Sequence, residues 1–205
     1  EADIPGHGRT KINAAYAYGQ SPLLVSTIQD LVGVKIDHIA KTDFEGFKNL
    51  TDALGGVRVN NQEASPKYPA GPVDLDGEQA LDYVRERKTL AEGDISRGQR
   101  QQAWLKAMMA ETLSPGVLLN PSKLNGVIDA GTKNTTVDNS LSTGTIRREA
   151  IRMRGIRGGD IHFVTAPFSG YGTAPNGGAI DILDEQGMSR LSDALRTDDM
   201  ASYEG

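Results

Sequence analysis

The segment DYVRERKTLAEGDISRGQRQQ, residues 82–102, carries four arginines, Arg85, Arg87, Arg97 and Arg100, in a chain whose formal net charge is −5. A guanidinium is a permanently charged, planar fork of donors that fits carboxylate or phosphate oxygens two at a time. The cluster is therefore either a solvated face or an anion site. On the first reading Arg85, Arg87 and Arg100 pair with Glu86, Glu92 or Asp94, each exposed pair contributing about 0–1 kcal/mol. On the second, Arg97 lies in the first turn of a helix predicted to be capped by Ser96, where the dipole favours anions and disfavours cations. Free backbone N–H groups at such a helix start hold phosphates, and Arg85 and Arg87 end the preceding predicted helix, one loop away. A pyrophosphate would suit that junction. Charge runs are more often solvated faces, and Arg9 and Lys11 in GRTKINAAYAYG face the same bland reading, so spacing alone leaves the choice open.

Other chemistries are missing from the sequence. With no cysteine there is no disulfide, thiolate nucleophile or thiolate metal ligand. Nucleophile-elbow, phosphate-loop and zincin motifs are absent, and His7, His38 and His162 lack metal-ligand spacing. The glycine-rich GYGTAPNGG, residues 170–178, reads as a long surface loop. A pI of about 5.2 argues against a general nucleic-acid or anionic-membrane binder, which needs an extended basic surface. Any basic site must be local.

The elements that would position the arginines follow from periodicity. The 205 residues, 38% hydrophobic, suit one soluble α/β domain with a substantial core. In SPLLVSTIQDLVGV, Ser21 and Pro22 start a predicted helix with Leu24, Ile28 and Leu31 on one face, and Gly33 stops it. A strand is expected around VKIDHIAKTDF. FEGFKNLTDALGG is a predicted helix with Phe44, Phe47, Leu50 and Leu54 as its stripe, and VRVN a strand. Asp76 and Gln79 are spaced as a capping box before Ala80, Leu81 and Val84. Ser96 and Gln99 repeat that spacing before a long helix with Ala103, Leu105, Met108, Met109 and Leu113 as apolar residues. PSKLNGVIDAG, TGTIRREAIRMRG and DEQGMSRLSDALR predict further helices, and DIHFVTAPF a core strand.

Four blocks in order, KINAAYAYG, DFEGFKNLTDALGGVRV, LDGEQALDYVRERK and GDISRGQRQQ, resemble the successive signatures of the LytR–CpsA–Psr family. The resemblance is strong over residues 5–110 and looser beyond. It implies a single α/β domain over 1–205, a central mixed sheet flanked by helices, with an apolar tunnel for a prenyl chain. It further implies an outward-facing enzyme at the bacterial membrane that moves a glycopolymer from a polyprenyl-pyrophosphate carrier onto peptidoglycan. Products of such enzymes include wall teichoic acids, capsules and arabinogalactan.

Carried over by position, the pyrophosphate-binding residues fall on Lys11, Arg85, Arg87 and Arg97, and the family's acidic and amide positions on Asp94 and Gln101. Asp94 is then either a base for the acceptor hydroxyl or an orienter of arginine, with Gln101 one turn from Arg97. Tunnel candidates are Leu24, Ile28, Phe44, Phe47, Leu50, Val84, Leu105 and Met108, residues whose helical spacing equally suits a core. The family uses magnesium held by carboxylates in a block expected upstream of residue 1, along with an N-terminal transmembrane anchor. The chain opens with Glu1 and contains no apolar run of the roughly 20 residues a span requires. A reading from another class is a module that binds a prenyl phosphate or anionic glycan without turning it over. Nucleic acid is not an expected partner.

Overall fold

The computed structural model describes residues 1–133, 135–138, 141–174 and 177–203. In chain order the elements are β1 (Ala2–Ile4), β2 (Gly8–Thr10), α1 (Asn13–Val32), β3 (Ala40–Thr42), α2 (Phe44–Ala53), β4 (Val57–Asn61), β5 (Gly71–Leu75) and α3 (Gly77–Arg85). They continue with α4 (Asp94–Thr112), α5 (Pro115–Leu118), α6 (Pro121–Lys133), β6 (Thr135–Val137), α7 (Thr143–Arg152), β7 (Phe168–Thr173), β8 (Ala179–Leu183) and α8 (Glu185–Thr197). The chain forms two compact units, residues 38–163 and residues 1–37 with 164–205.

The unit 38–163 is built around a core cluster to which α2, α3, α4, α6 and the β4–β5 hairpin contribute. Alternation in β4 is the expected period of two: Val57, Val59 and Asn61 are buried and Arg58 and Asn60 exposed. Arg58 crosses the hairpin to grip Asp74 through Nε and Nη2, each at 2.8 Å. Trp104 is the side chain on which α2 and α4 meet. Its ring stacks on Phe47 with centroids 4.0 Å apart and its Nε1 donates to the buried Thr51 hydroxyl at 3.3 Å. Burying a ring of this size is worth several kcal/mol when its N–H is also satisfied.

Helix α3 starts as its sequence predicts, with Asp76 accepting from the Gln79 amide at 2.8 Å and Gln79 accepting from the Asp76 amide at 3.1 Å. Gly77 is required where α3 meets α2, because a Cβ there would sit 2.5 Å from the Lys48 carbonyl oxygen. Its amide donates to Asp52 at 2.7 Å.

In the other unit, α1 is longer than predicted and breaks at Gly19 and Gln20, so its second half begins near Ser21 and Pro22 as expected. Gly33 ends it in the left-handed region, φ 67°, with its amide donating to the Gln29 carbonyl. Ala2, Ile4, Ala15, Met188 and Leu191 are buried here.

Three expectations are corrected. In place of one central mixed sheet, the ladders among the described residues are antiparallel pairs, β1–β2, β3–β6, β4–β5 and β7–β8. DIHFVTAPF forms no strand before Phe168: Ile161 is buried, but Val164 is 41% exposed, and the stretch 161–167 has no strand ladder among the described residues. GYGTAPNGG is not wholly a loop, since Gly170–Thr173 belong to β7 and pair with β8; Pro175 and Asn176 lie outside the described residues. Period-two alternation identifies strand-compatible segments but not their partners, and the glycines at 170 and 172 hid a strand whose pairing is made by backbone alone.

Candidate functional site

The loop from Glu86 to Gly93 joins α3 to α4 and sorts its charged side chains by alternation. Helix α3 stops at Arg85, and Glu86 is extended, φ −62° and ψ 134°. Successive side chains then point opposite ways, so Arg85 and Arg87 are exposed while Glu86 turns inward. Leu90 folds back, its amide donating to the Arg87 carbonyl at 3.2 Å, and Gly93 takes φ 53° and ψ −102°, a conformation open to glycine at little cost.

Helix α4 begins at Asp94 after a Gly93 cap, three residues earlier than the sequence predicts. Ser96 is not its cap: it lies buried in the first turn, where its hydroxyl accepts from the Glu92 amide at 3.3 Å and hydrogen-bonds Glu63. The anion that suits the helix dipole is Asp94 itself. Asp94 Oδ1 lies 3.0 Å from Arg97 Nη2 and 3.3 Å from Arg87 Nη1. Two of the three arginines predicted for the site thus share one carboxylate at the α3–α4 junction. Arg85 sits one residue before the turn, its guanidinium 4.6 Å from the centroid of Phe44, a ring that is 57% exposed. Gln101 donates through Nε2 to the Val84 carbonyl at 3.3 Å, tying α4 to the end of α3 rather than reaching Arg97.

Arg100 is the residue that sequence reasoning misplaced. Assigned there to a solvated surface, it is 3% exposed and clamped: Nη1 donates to Glu86, Nη2 to the Glu63 carbonyl at 3.1 Å, and the guanidinium lies 4.6 Å from the Tyr83 ring centroid and 5.6 Å from that of Tyr68. Burial pushes the Glu86 carboxyl up, but donors from Thr89, Ser65 and Arg100 outweigh it and hold the group below the usual carboxylate range. Glu63 is held down by the Ser96 hydroxyl and the Ala91 amide, the latter at 2.6 Å. This buried network fixes the loop on which Arg87 and Asp94 stand. The signal for it was the acid between two arginines, Arg85-Glu86-Arg87, whose alternation requires an inward partner.

Lys11 is exposed in the turn before α1, in the unit that also contains the half-buried Leu24 and Ile28. Of the remaining tunnel candidates, Val84 is buried in the core cluster and Phe47, Leu50, Leu105 and Met108 pack against it. Cavities of about 580 and 590 Å³ in the unit 38–163 are lined by other residues. The described residues include no group of three or more histidines, aspartates or glutamates placed to hold a metal. Asp94, already shared by two guanidiniums, is a poor start for one, so these residues do not by themselves make a magnesium site. Among them no helix is long and apolar enough to cross a membrane.

Fold and site together define a mixed α/β protein with a cationic junction between two helices. The chain belongs to the LytR_cpsA_psr family, whose model matches residues 1–197. It is 36% identical to the cell wall biosynthesis protein LcpA of Corynebacterium glutamicum over 78% of this chain and 32% of LcpA. It is 30% identical to the polyisoprenyl-teichoic acid–peptidoglycan teichoic acid transferase TagU of Enterococcus faecalis, over 95% of this chain and 63% of TagU. The chain therefore spans from a third to under two-thirds of the length of these curated relatives. The crystal structure of Bacillus subtilis TagV superposes with a TM-score of 0.81 at 24% identity, covering 100% of this chain and 80% of TagV.

Proposed function

We propose that this chain is the catalytic part of a phosphotransferase that moves a glycopolymer from a polyprenyl-pyrophosphate carrier to peptidoglycan on the outer face of the bacterial membrane. The observation that carries the reading is the junction of α3 and α4, where Arg87 and Arg97 flank Asp94 and Arg85 stands beside them in sequence over an exposed ring. Guanidiniums held in advance around a diphosphate stabilise charge as it grows on the leaving phosphate. Along α4 Leu105 and Met108 follow Arg97 and Gln101 at steps of four, four and three residues, but they pack against the core cluster, so a prenyl chain would reach them only by displacing part of that packing. The membership and the transferase name of the TagU relative support the same chemistry.

In the reaction an acceptor sugar hydroxyl attacks the sugar-side phosphorus. Its O–P bond forms, the bond from that phosphorus to the bridging oxygen breaks, the hydroxyl proton leaves, and polyprenyl phosphate departs. Arg85, Arg87 and Arg97 bind the diphosphate. Asp94, with one oxygen already facing two arginines, orients them. The test is release of polyprenyl phosphate from a short lipid-linked substrate by the purified protein, with and without magnesium. Tight substrate binding with no release in either condition would leave a lipid-phosphate binding module instead.

A further inference from the structure

A second concentration of arginine lies outside this site. Residues 147–157 contain Arg147, Arg148, Arg152, Arg154 and Arg157 against the single acid Glu149. Overall acidity rules out attraction by the whole surface but not by this local patch. The segment covers the C-terminal residues of α7 and the 3₁₀ turn Met153–Gly155, and a second 3₁₀ turn, Gly158–Asp160, follows it with the next acid, Asp160.

Helix α7 is held on one side only. Ala150 is buried and Ile146 packs against the core cluster, while Arg147 reaches Asn125 of α6. The opposite side carries Arg148 and Arg152 one turn apart, with side chains 61% and 70% exposed, both bonded to Glu149 at 3.3 Å. One carboxylate thus serves two guanidiniums. Arg157 spends its Nη1 on the carbonyls of Arg154 and Ile156, which do not neutralise it, and Asp160 accepts only from the Arg157 amide. Beside these cations stand two apolar side chains, Ile151 at 44% and Met153 at 39% exposure. A merely solvated basic face has no use for them, and a site for a soluble polyanion gains little from them. Cations flanking exposed aliphatic side chains are what an interfacial segment needs: charge attracts anionic headgroups and the apolar side chains enter the acyl boundary.

We propose that the exposed stretch made by Arg148, Ile151 and Arg152 at the end of α7 and by Met153 and Arg154 in the 3₁₀ turn after it docks on an anionic lipid surface, which would hold this part of the protein against the membrane. The inference does not rest on the transfer reaction, and its test contains no pyrophosphate lipid. The purified chain is mixed with vesicles of phosphatidylcholine containing phosphatidylglycerol, or of phosphatidylcholine alone, and bound protein is measured by co-sedimentation over a salt series. Binding is expected only to the anionic vesicles and should weaken with salt. Replacing an arginine near such a surface costs roughly fivefold in partitioning, so Arg148→Gln with Arg152→Gln should lose about 10- to 30-fold. Ile151→Ser with Met153→Ser should also lose binding, at unchanged net charge. Arg154→Gln, at a position with no ion pair among the described residues, supplies a single-site check, and melting temperatures confirm that each variant is folded. Equal binding to both vesicle types would overturn the proposal. So would wild-type binding by the Arg148→Gln/Arg152→Gln protein, or insensitivity to the Ile151 and Met153 changes with efficient competition by soluble polyphosphate, which would mark a polyanion site.

Discussion

Replacing Arg100 with methionine separates the scaffold of the site from its chemistry. Methionine retains much of the aliphatic length but leaves Glu86, only 11% exposed, facing Ser65 and Thr89 without its cation. It also removes the donor to the Glu63 carbonyl and the cation stacked over Tyr83. Breaking a buried pair from one side costs about 3–5 kcal/mol, because an uncompensated charge remains. For a chain of this length each kcal/mol shifts the melting temperature by about 2–4 °C, so a fall of roughly 6–20 °C is expected. Glu86→Gln should also destabilise, and the double variant should be better than the sum of the singles by about 0.5–3 kcal/mol, the coupling of groups in direct contact. Thermal unfolding followed by circular dichroism of the four proteins closes the cycle. A loss below 1 kcal/mol for Arg100→Met, or a coupling indistinguishable from zero, would show that Arg100 is not the partner that holds Glu86 and the loop after it.

The exposed arginines should behave in the opposite way. Arg85→Lys and Arg87→Lys keep charge but lose the fork, so transfer should fall about 10- to 1000-fold, or roughly 1.4–4 kcal/mol, with the melting temperature nearly unchanged; unaltered turnover would return both to a solvated face. Glu63 and Glu86 are both held below the ordinary carboxylate range, so their contribution is complete above about pH 5 and lost as pH falls through their lowered folded values; acid titration of unfolding free energy should show that loss, and Glu86→Gln should diminish it. Gly77→Ala places a Cβ 2.5 Å from the Lys48 carbonyl oxygen and 2.8 Å from Asp52 Oδ2, so α2 and α3 must separate; a cost of about 1–3 kcal/mol is expected, and a neutral effect in chemical denaturation would refute the close approach.

Local signals were legible in the sequence because they act over a few residues. The Asp76–Gln79 box, the stop at Gly33, the strand at β4 and the end of α3 near Arg85 were all legible from residues only a few positions apart. The start of α4 was misplaced because two cap-like residues compete: Ser96 has the right spacing to Gln99, but Gly93 supplies the turn and Glu63, from a distant loop, claims the Ser96 hydroxyl. The same distance in sequence explains Trp104 and Arg100. Neither announces from its own helix that Thr51 and Phe47 wait for one and Glu86 for the other. Phe44 was read as part of a buried stripe; at the first position of α2 its ring instead lies in the open under Arg85.

Why the exposed part of the junction is cationic in an acidic chain follows from that long-range pairing. Residues 85–100 hold five cations, Arg85, Arg87, Lys88, Arg97 and Arg100, against three carboxylates, Glu86, Glu92 and Asp94. Were all of them exposed, Glu86 would lie between its two arginines and screen both. Alternation after the end of α3 sends Glu86 inward, where Arg100 neutralises it out of reach of solvent. Burial removes one charge of each sign and leaves four cations, three of them guanidiniums, to two carboxylates outside. Like charges so placed repel, and the stabilisation gained when an anion joins them increases with their crowding. Asp94 satisfies one oxygen's worth of that demand and fixes where the arginines point. The buried pair therefore has two consequences: it anchors the loop, and it leaves the exposed charges of that loop predominantly cationic.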